Sequence, residues 1–91
     1  MPRRQMQRID SNGYSFYFVL ESSGALHIER RTGINTEVAI DTFFEGVNTY
    51  NDARQRNEAN TDMHGVYWTW LYGDETSTSV LVLSCFEQES Q

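Results

Sequence analysis

Apolar and polar positions alternate in the first third of the chain, which is the pattern of β-strands. Residues 14–21 read YSFYFVLE, with an aromatic or aliphatic side chain at every second position. A turn signal, SSG, follows at residues 22–24, and in the next segment, ALHIERR, Leu26 and Ile28 fall on one face. The pattern therefore predicts a β-hairpin made of residues 14–21 and 25–31.

The periodicity becomes helical in the middle of the chain. Thr42 and Glu45 have the spacing of a capping box, and the apolar residues that follow them recur at three- to four-residue intervals. We therefore predict a helix over residues 41–56. Gly46 falls inside this predicted helix and costs about 1 kcal/mol relative to alanine, so tertiary packing must supply the helix's stability.

The segments before and after the predicted helix predict further strands and a loop. Residues 36–40, TEVAI, fit either a short third strand or the start of a helix, and residues 57–65 are polar enough for a loop. Residues 66–72 and 78–86 flank an acidic turn and predict a second hairpin. Residues 80–83 are apolar at every position, which predicts a central strand covered on both faces.

These elements predict an α+β fold: a small antiparallel sheet of four to five strands (two hairpins) with one helix packed on a face. The length of 91 residues indicates a single domain over residues 1–91, with mobile ends at 1–9 and 88–91 that lack periodic apolar residues. One helix covers only about half of a sheet face that is roughly 20 to 24 Å wide. The remaining width predicts either a half-barrel or a homodimer.

The charge distribution restricts the class of partner. The chain carries thirteen carboxylates and seven arginines with no lysine, for a net charge of −6. Direct nucleic-acid binding needs clustered basic residues, so we predict none, and we predict a protein partner with a basic surface. Glu37, Asp41 and Glu45 recur every four residues and indicate a solvated helix start rather than an acid/base pair.

Hydropathy and cysteine content indicate the compartment. The sequence has no apolar run of membrane-spanning length and no apolar segment after its first arginines, so neither a membrane span nor a secretory signal is predicted. A single cysteine agrees with a reducing environment. We therefore expect a cytoplasmic protein, in the cytoplasm of a host cell if the chain is phage-encoded.

No motif in the sequence predicts an enzyme, a metal site or a cofactor. His27 and His64 lie far apart, and Cys85 sits in an apolar segment where a small buried side chain is the usual role. Glu58, Asn60, Asp62 and His64 fall at alternate positions, as calcium-loop ligands do. However, Met63 occupies the position that needs glycine and Thr69 the position that needs glutamate.

The aromatic run VYWTWLY and the acidic turn GDETS after it are the best candidates for a binding site. Tyrosine and tryptophan are favoured anchors of protein interfaces, and acidic rims steer the approach of a basic partner. The predicted partner-binding residues are Trp68, Trp70, Tyr72, Asp74, Glu75, Glu87 and Glu89. The alternative is a small-molecule or nucleotide site on an aromatic sheet face or in a dimer cleft, using Tyr17, Arg30, Arg31 and Tyr67.

In size, acidity, lack of catalytic signatures and irregular composition, the chain resembles the inhibitors that phages direct at host nucleic-acid machinery, including anti-CRISPR and anti-restriction proteins. The resemblance is one of overall character and involves no shared motif. It implies a small inhibitor or adaptor that docks on a basic surface of a nucleic-acid-handling partner.

Overall fold

The computed structural model describes residues 5–89 of the chain. Over this range the chain forms a six-stranded sheet, two α-helices and one short 3-10 turn. The elements are β1 (Met6–Ser11), β2 (Tyr14–Val19), α1 (His27–Thr32), α2 (Thr36–Glu45), β3 (Val47–Asn51), β4 (Arg56–Asn60), β5 (His64–Trp70), the 3-10 turn (Glu75–Ser77) and β6 (Ser79–Glu87).

The sheet has the strand order β1-β2-β6-β5-β4-β3. The six strands make five neighbouring pairs, four of them antiparallel and one, β2 with β6, parallel, so the sheet is mixed. The connection from β2 to the second half of the sheet runs through both helices, as a parallel pairing requires a crossover. A β-bulge between Tyr67 and Trp68 leaves Leu83 as an additional residue in β6.

Alternation along the central strands directs one set of side chains into a single core. β2 contributes Phe16 and Phe18, β5 contributes Val66 and Trp68, and all four are at most 4% exposed. The cross-strand pairs Phe16–Val80 and Trp68–Val82 align these residues on one face, which both helices cover. Phe43 of α2 contacts this face edge-on, with ring centroids 5.1 Å from Phe16 and 4.8 Å from Trp68.

The first predicted hairpin is wrong in its second half. β2 pairs with β1 and β6, and residues 27–32 form the helix α1 rather than a strand. The helix inserts Ile28 into the core and ends at Gly33, whose φ of 77° closes the last turn in the left-handed region. An isolated bridge between Leu20 and Leu26 is what remains of the predicted pairing.

The predicted helix over 41–56 is shifted and shortened, and residues 36–40 are helical. Asn35 caps α2 because its side-chain oxygen accepts a hydrogen bond from the Val38 amide at 3.0 Å, so the helix begins before Thr42. Residues 47–51, predicted inside the helix, and residues 56–60, predicted as helix end and loop, are the strands β3 and β4. β3 is the edge strand and its residues are mostly exposed, whereas the polar residues of β4 are half-buried and Ala59 enters the core.

The fold class agrees with the sequence prediction, whereas the number of strands and the start of the chain differ from it. The α+β class and the second hairpin, β5 with β6, are confirmed, and β6 is central. However, the sheet is mixed rather than antiparallel and has six strands rather than four to five, and the described helices cover only one face of β6. Of the ends expected to be mobile, residues 6–9 belong to the paired strand β1, whereas 1–4, 90 and 91 lie outside the described residues. Among the described residues, neither helix is long and apolar enough to cross a membrane.

Candidate functional site

The two tryptophans of the aromatic run belong to the helix-covered face. Trp68 is 4% exposed and packs against Phe43, and Trp70 lies half-buried with its ring centroid 4.8 Å from that of Trp68. Tyr67, the residue before Trp68, points to the opposite face, where it pairs across the strands with Ser84. Burial leaves Trp68 no surface to offer a partner, so its role is in the core.

The acidic turn after β5 is exposed, and its first carboxylate has a local role. Tyr72 is 69% exposed, and Glu75 also faces solvent. The Asp74 carboxylate accepts hydrogen bonds from the Thr76 amide at 2.9 Å and from the Thr76 hydroxyl at 2.8 Å. These bonds hold the pKa of Asp74 below its ordinary value, so the carboxylate stabilises the turn as a capping group.

The predicted acidic rim is divided between the two ends of β6. Asp74 and Glu75 precede this strand, whereas Glu87 ends it and Glu89 follows it. Nine residues of extended chain place the two pairs roughly 26 Å apart. The structure therefore keeps Tyr72 with Asp74 and Glu75 but separates them from Glu87 and Glu89.

The alternative ligand-binding residues are divided as well. Tyr17 and Tyr67 lie on the sheet face away from the core, on strands that flank β6. Arg30 and Arg31 belong to α1, where the Arg30 Nε atom lies 3.4 Å from the Glu21 carboxylate. These arginines and tyrosines do not form one site.

The sheet face opposite the helices, here called the open face, has an apolar centre. Its central residues are half-buried by one another and come from β2, β5 and β6: Tyr17, Val19, Tyr67, Leu81 and Phe86. The Phe86 ring lies directly over Gly65, and its centroid is 5.3 Å from that of Tyr67. A side chain at position 65 would occupy this space, which explains the need for glycine there.

Four carboxylates on the helix side form a second surface feature, here called the acidic stripe. Glu37, Asp41 and Glu45 recur every four residues of α2, about 6 Å apart along the axis, and Asp62 lies in the turn between β4 and β5. The residues of α2 that enter the core, including Ala39 and Phe43, lie on the other side of the helix. The stripe consequently faces solvent.

Within residues 5–89, no basic side chain forms an ion pair with a carboxylate of the acidic stripe. The ion pairs found within residues 5–89 are Arg8–Asp10, His27–Glu21 and Arg30–Glu21, none of which includes a stripe carboxylate. A shallow depression with a cavity volume of about 480 Å³ lies between α2 and the β4–β5 turn. Its lining includes Asp41, Glu45, Asp62, Met63 and His64, and Met63 is 70% exposed.

The remaining candidate groups show little reactive chemistry. Cys85 is 2% exposed, and burial raises the pKa of its thiol to about 12, so a thiolate nucleophile does not form at neutral pH. His27 Nδ1 lies 3.1 Å from the Glu21 carboxylate, which accounts for that histidine. Within residues 5–89, no group of three or more histidine, cysteine or acidic side chains has the geometry of a metal site.

Comparison with known proteins gave no relative: no protein-family model, curated protein or solved structure matched the chain.

Sequence reasoning recognised the four-residue spacing of Glu37, Asp41 and Glu45 but missed the stripe as a surface. The missing information was tertiary, because Asp62 joins the stripe only when the β4–β5 turn packs beside α2. The open face was anticipated as an uncovered aromatic face, but the period of two alone does not say which set of residues points outward.

Proposed function

We propose that this protein is a small acidic protein-binding module that docks through the acidic stripe onto a basic surface of a nucleic-acid-handling partner. Its action is that of an inhibitor or adaptor. The inhibitor form of the proposal, of anti-CRISPR type, draws on the chain's resemblance in overall character to phage inhibitors. The observation that carries the proposal is the set of four solvent-facing carboxylates, none of which forms an ion pair within residues 5–89.

Electrostatics supports a basic partner. Four like charges on one surface create a local potential that attracts a positively charged patch and raises the association rate at low salt. Glu37, Asp41 and Glu45 follow a rigid helix held by its cap and core contacts, so their spacing is fixed before binding. Pre-organised charges bind with a smaller loss of side-chain and backbone freedom.

Apolar contacts beside the stripe supply the short-range part of the proposed interface. Met63, 70% exposed, lines the depression together with Asp41 and Glu45. Phe44 lies next to the stripe on α2 and is 37% exposed. Flexible methionine and partly exposed aromatic side chains adapt to a partner's surface, while the charges set orientation.

The test uses two triple variants as bait for affinity capture from bacterial lysate at low and high salt. The first, Glu37→Gln/Asp41→Asn/Glu45→Gln, removes three stripe charges without changing side-chain shape. The matched control, Glu29→Gln/Asp52→Asn/Glu75→Gln, removes the same types and number of charges from exposed positions elsewhere. We expect the wild type and the control to retain a basic partner at low salt, and the stripe variant to lose it.

The outcomes separate the competing explanations. Equal loss of capture by both triple variants would mean that net charge or the acidic turn at Glu75, and not the stripe, governs capture, and the stripe proposal would be wrong. Capture of no protein by the wild type at low salt would contradict the protein-binding function. A nucleotide found bound to the purified chain by native mass spectrometry would instead support the small-molecule alternative.

A further inference from the structure

We infer that the open face binds a second copy of this chain, forming a two-fold symmetric dimer in which two sheets pack face to face. This inference concerns the side of the molecule opposite the acidic stripe and is independent of the proposed function.

The composition of the open face is that of an interface with an apolar centre and a polar rim. The middle strands β2, β6 and β5 present Tyr17, Leu81, Tyr67 and Phe86, while both described helices lie on the other side of the sheet. Large apolar patches of this kind are rarely left uncovered in a monomer, and two sheet faces bury each other at a separation of about 10 Å.

Within residues 5–89 the rim is neutral, which favours a second copy of this chain as the occupant. On β1 the Arg8 Nε atom lies 2.8 Å from the Asp10 carboxylate. On β4 the Arg56 guanidinium lies 3.7 Å above the Tyr67 ring, beside Glu58 on the same face. Two arginines and two carboxylates sum to zero in a chain of net charge −6, so two copies approach here without the repulsion that the stripe would cause.

The register of the strands is compatible with two-fold symmetry. Tyr17, Leu81 and Thr69 lie side by side at one level of the sheet, and Tyr67 lies beside Ser84 at the next level. Consider a two-fold axis between the two facing sheets, perpendicular to the strands and midway between these two levels. It places each level of one copy over the other level of the second copy. Because Glu58 pairs with Tyr67 and Arg56 follows two residues earlier, this axis brings Arg56 over the second copy's Glu58.

The area of the face predicts a weak dimer. Six strands at about 4.8 Å and six residues at about 3.3 Å give a face of about 24 by 20 Å, or about 500 Å² per copy. The total of about 1,000 Å² is the lower limit for a specific interface. We therefore expect a weak, transient dimer, with monomers prevailing on dilution.

Sedimentation equilibrium over a concentration series tests the inference on the full chain. The wild type should rise from the monomer mass of 10.6 kDa toward twice that value as concentration increases. Leu81→Arg places a charge at the centre of the open face in both copies and should weaken association at least about tenfold. Tyr72→Arg introduces the same charge on the exposed turn and should leave association unchanged.

A methyl NMR titration locates the contact without relying on a variant that must fold. The methyl signals of Val19 and Leu81 on the open face should shift with protein concentration, whereas those of Val80 and Val82 in the core should not. A monomer at every concentration up to about 1 mM would overturn the inference. So would a dimer that persists in a folded Leu81→Arg variant, since its contact would lie elsewhere.

Discussion

Gly46 offers the sharpest test of the fold, because two ways of reasoning predict opposite signs. Taken as an interior residue of a long helix, glycine costs about 1 kcal/mol, and alanine would stabilise the protein. In the structure Gly46 ends α2 and turns the chain into β3. Its φ of −76° is available to any residue, so the requirement for glycine comes from space and not from conformation.

The magnitude follows from what a methyl group at position 46 would contact. An alanine Cβ would lie 2.7 Å from the Asn60 amide nitrogen, 2.7 Å from the Thr42 carbonyl oxygen and 3.0 Å from the Ala59 carbonyl carbon. All three are backbone atoms, so relief requires α2 and β4 to separate, which costs about 2 to 3 kcal/mol. The reduced freedom of the unfolded chain offsets about 0.4 to 1 kcal/mol of this cost.

We therefore expect Gly46→Ala to destabilise the protein by about 2 kcal/mol, lowering the melting temperature by roughly 8 to 16 °C. Urea denaturation followed by circular dichroism measures the free energy of unfolding. Gly33→Ala is the control, because no atom lies within 4 Å of its Cβ position and only the left-handed φ of 77° opposes alanine, at about 1 kcal/mol. A Gly46→Ala variant as stable as the wild type would refute the close contact between α2 and β4.

Three further predictions concern single groups and one strand. Cys85 should react with a thiol reagent only at the rate of unfolding, because burial leaves it 2% exposed with a pKa of about 12, and rapid labelling of the native protein would contradict that burial. Asp74→Ala should lower the melting temperature most above about pH 5. The difference in melting temperature between the wild type and this variant should shrink below about pH 4. The folded protein lowers the pKa of Asp74, so the stabilisation is lost when the carboxylate becomes protonated. A difference that stays the same at low pH would argue against the cap. Deletion of residues 1–8 should lower the free energy of unfolding, because it removes half of β1 and its pairing with β2, and unchanged stability would contradict that pairing.

The sequence pattern predicted the structure correctly where apolar residues alternate clearly along a strand or carboxylates recur along a helix. The alternation in residues 14–19 and the paired runs around the GDETS turn identified β2, β5 and β6, because their core-facing residues follow a period of two. The four-residue spacing of Glu37, Asp41 and Glu45 was visible in the sequence, and it corresponds to one exposed side of α2. Acidity and the lack of a catalytic motif also came from the sequence alone.

Tertiary structure decided the elements for which local patterns were ambiguous. Residues 25–29 alternate as a strand would, with Leu26 and Ile28 on one face, yet residues 27–32 form a helix that buries Ile28. Polar β3 and β4 became strands because β5 offers an edge to pair with and Ala59 fits the core, which no local propensity indicates. Likewise, the direction of Trp68 and Tyr67 depends on which face the helices cover, and that choice is made by packing across the whole sheet.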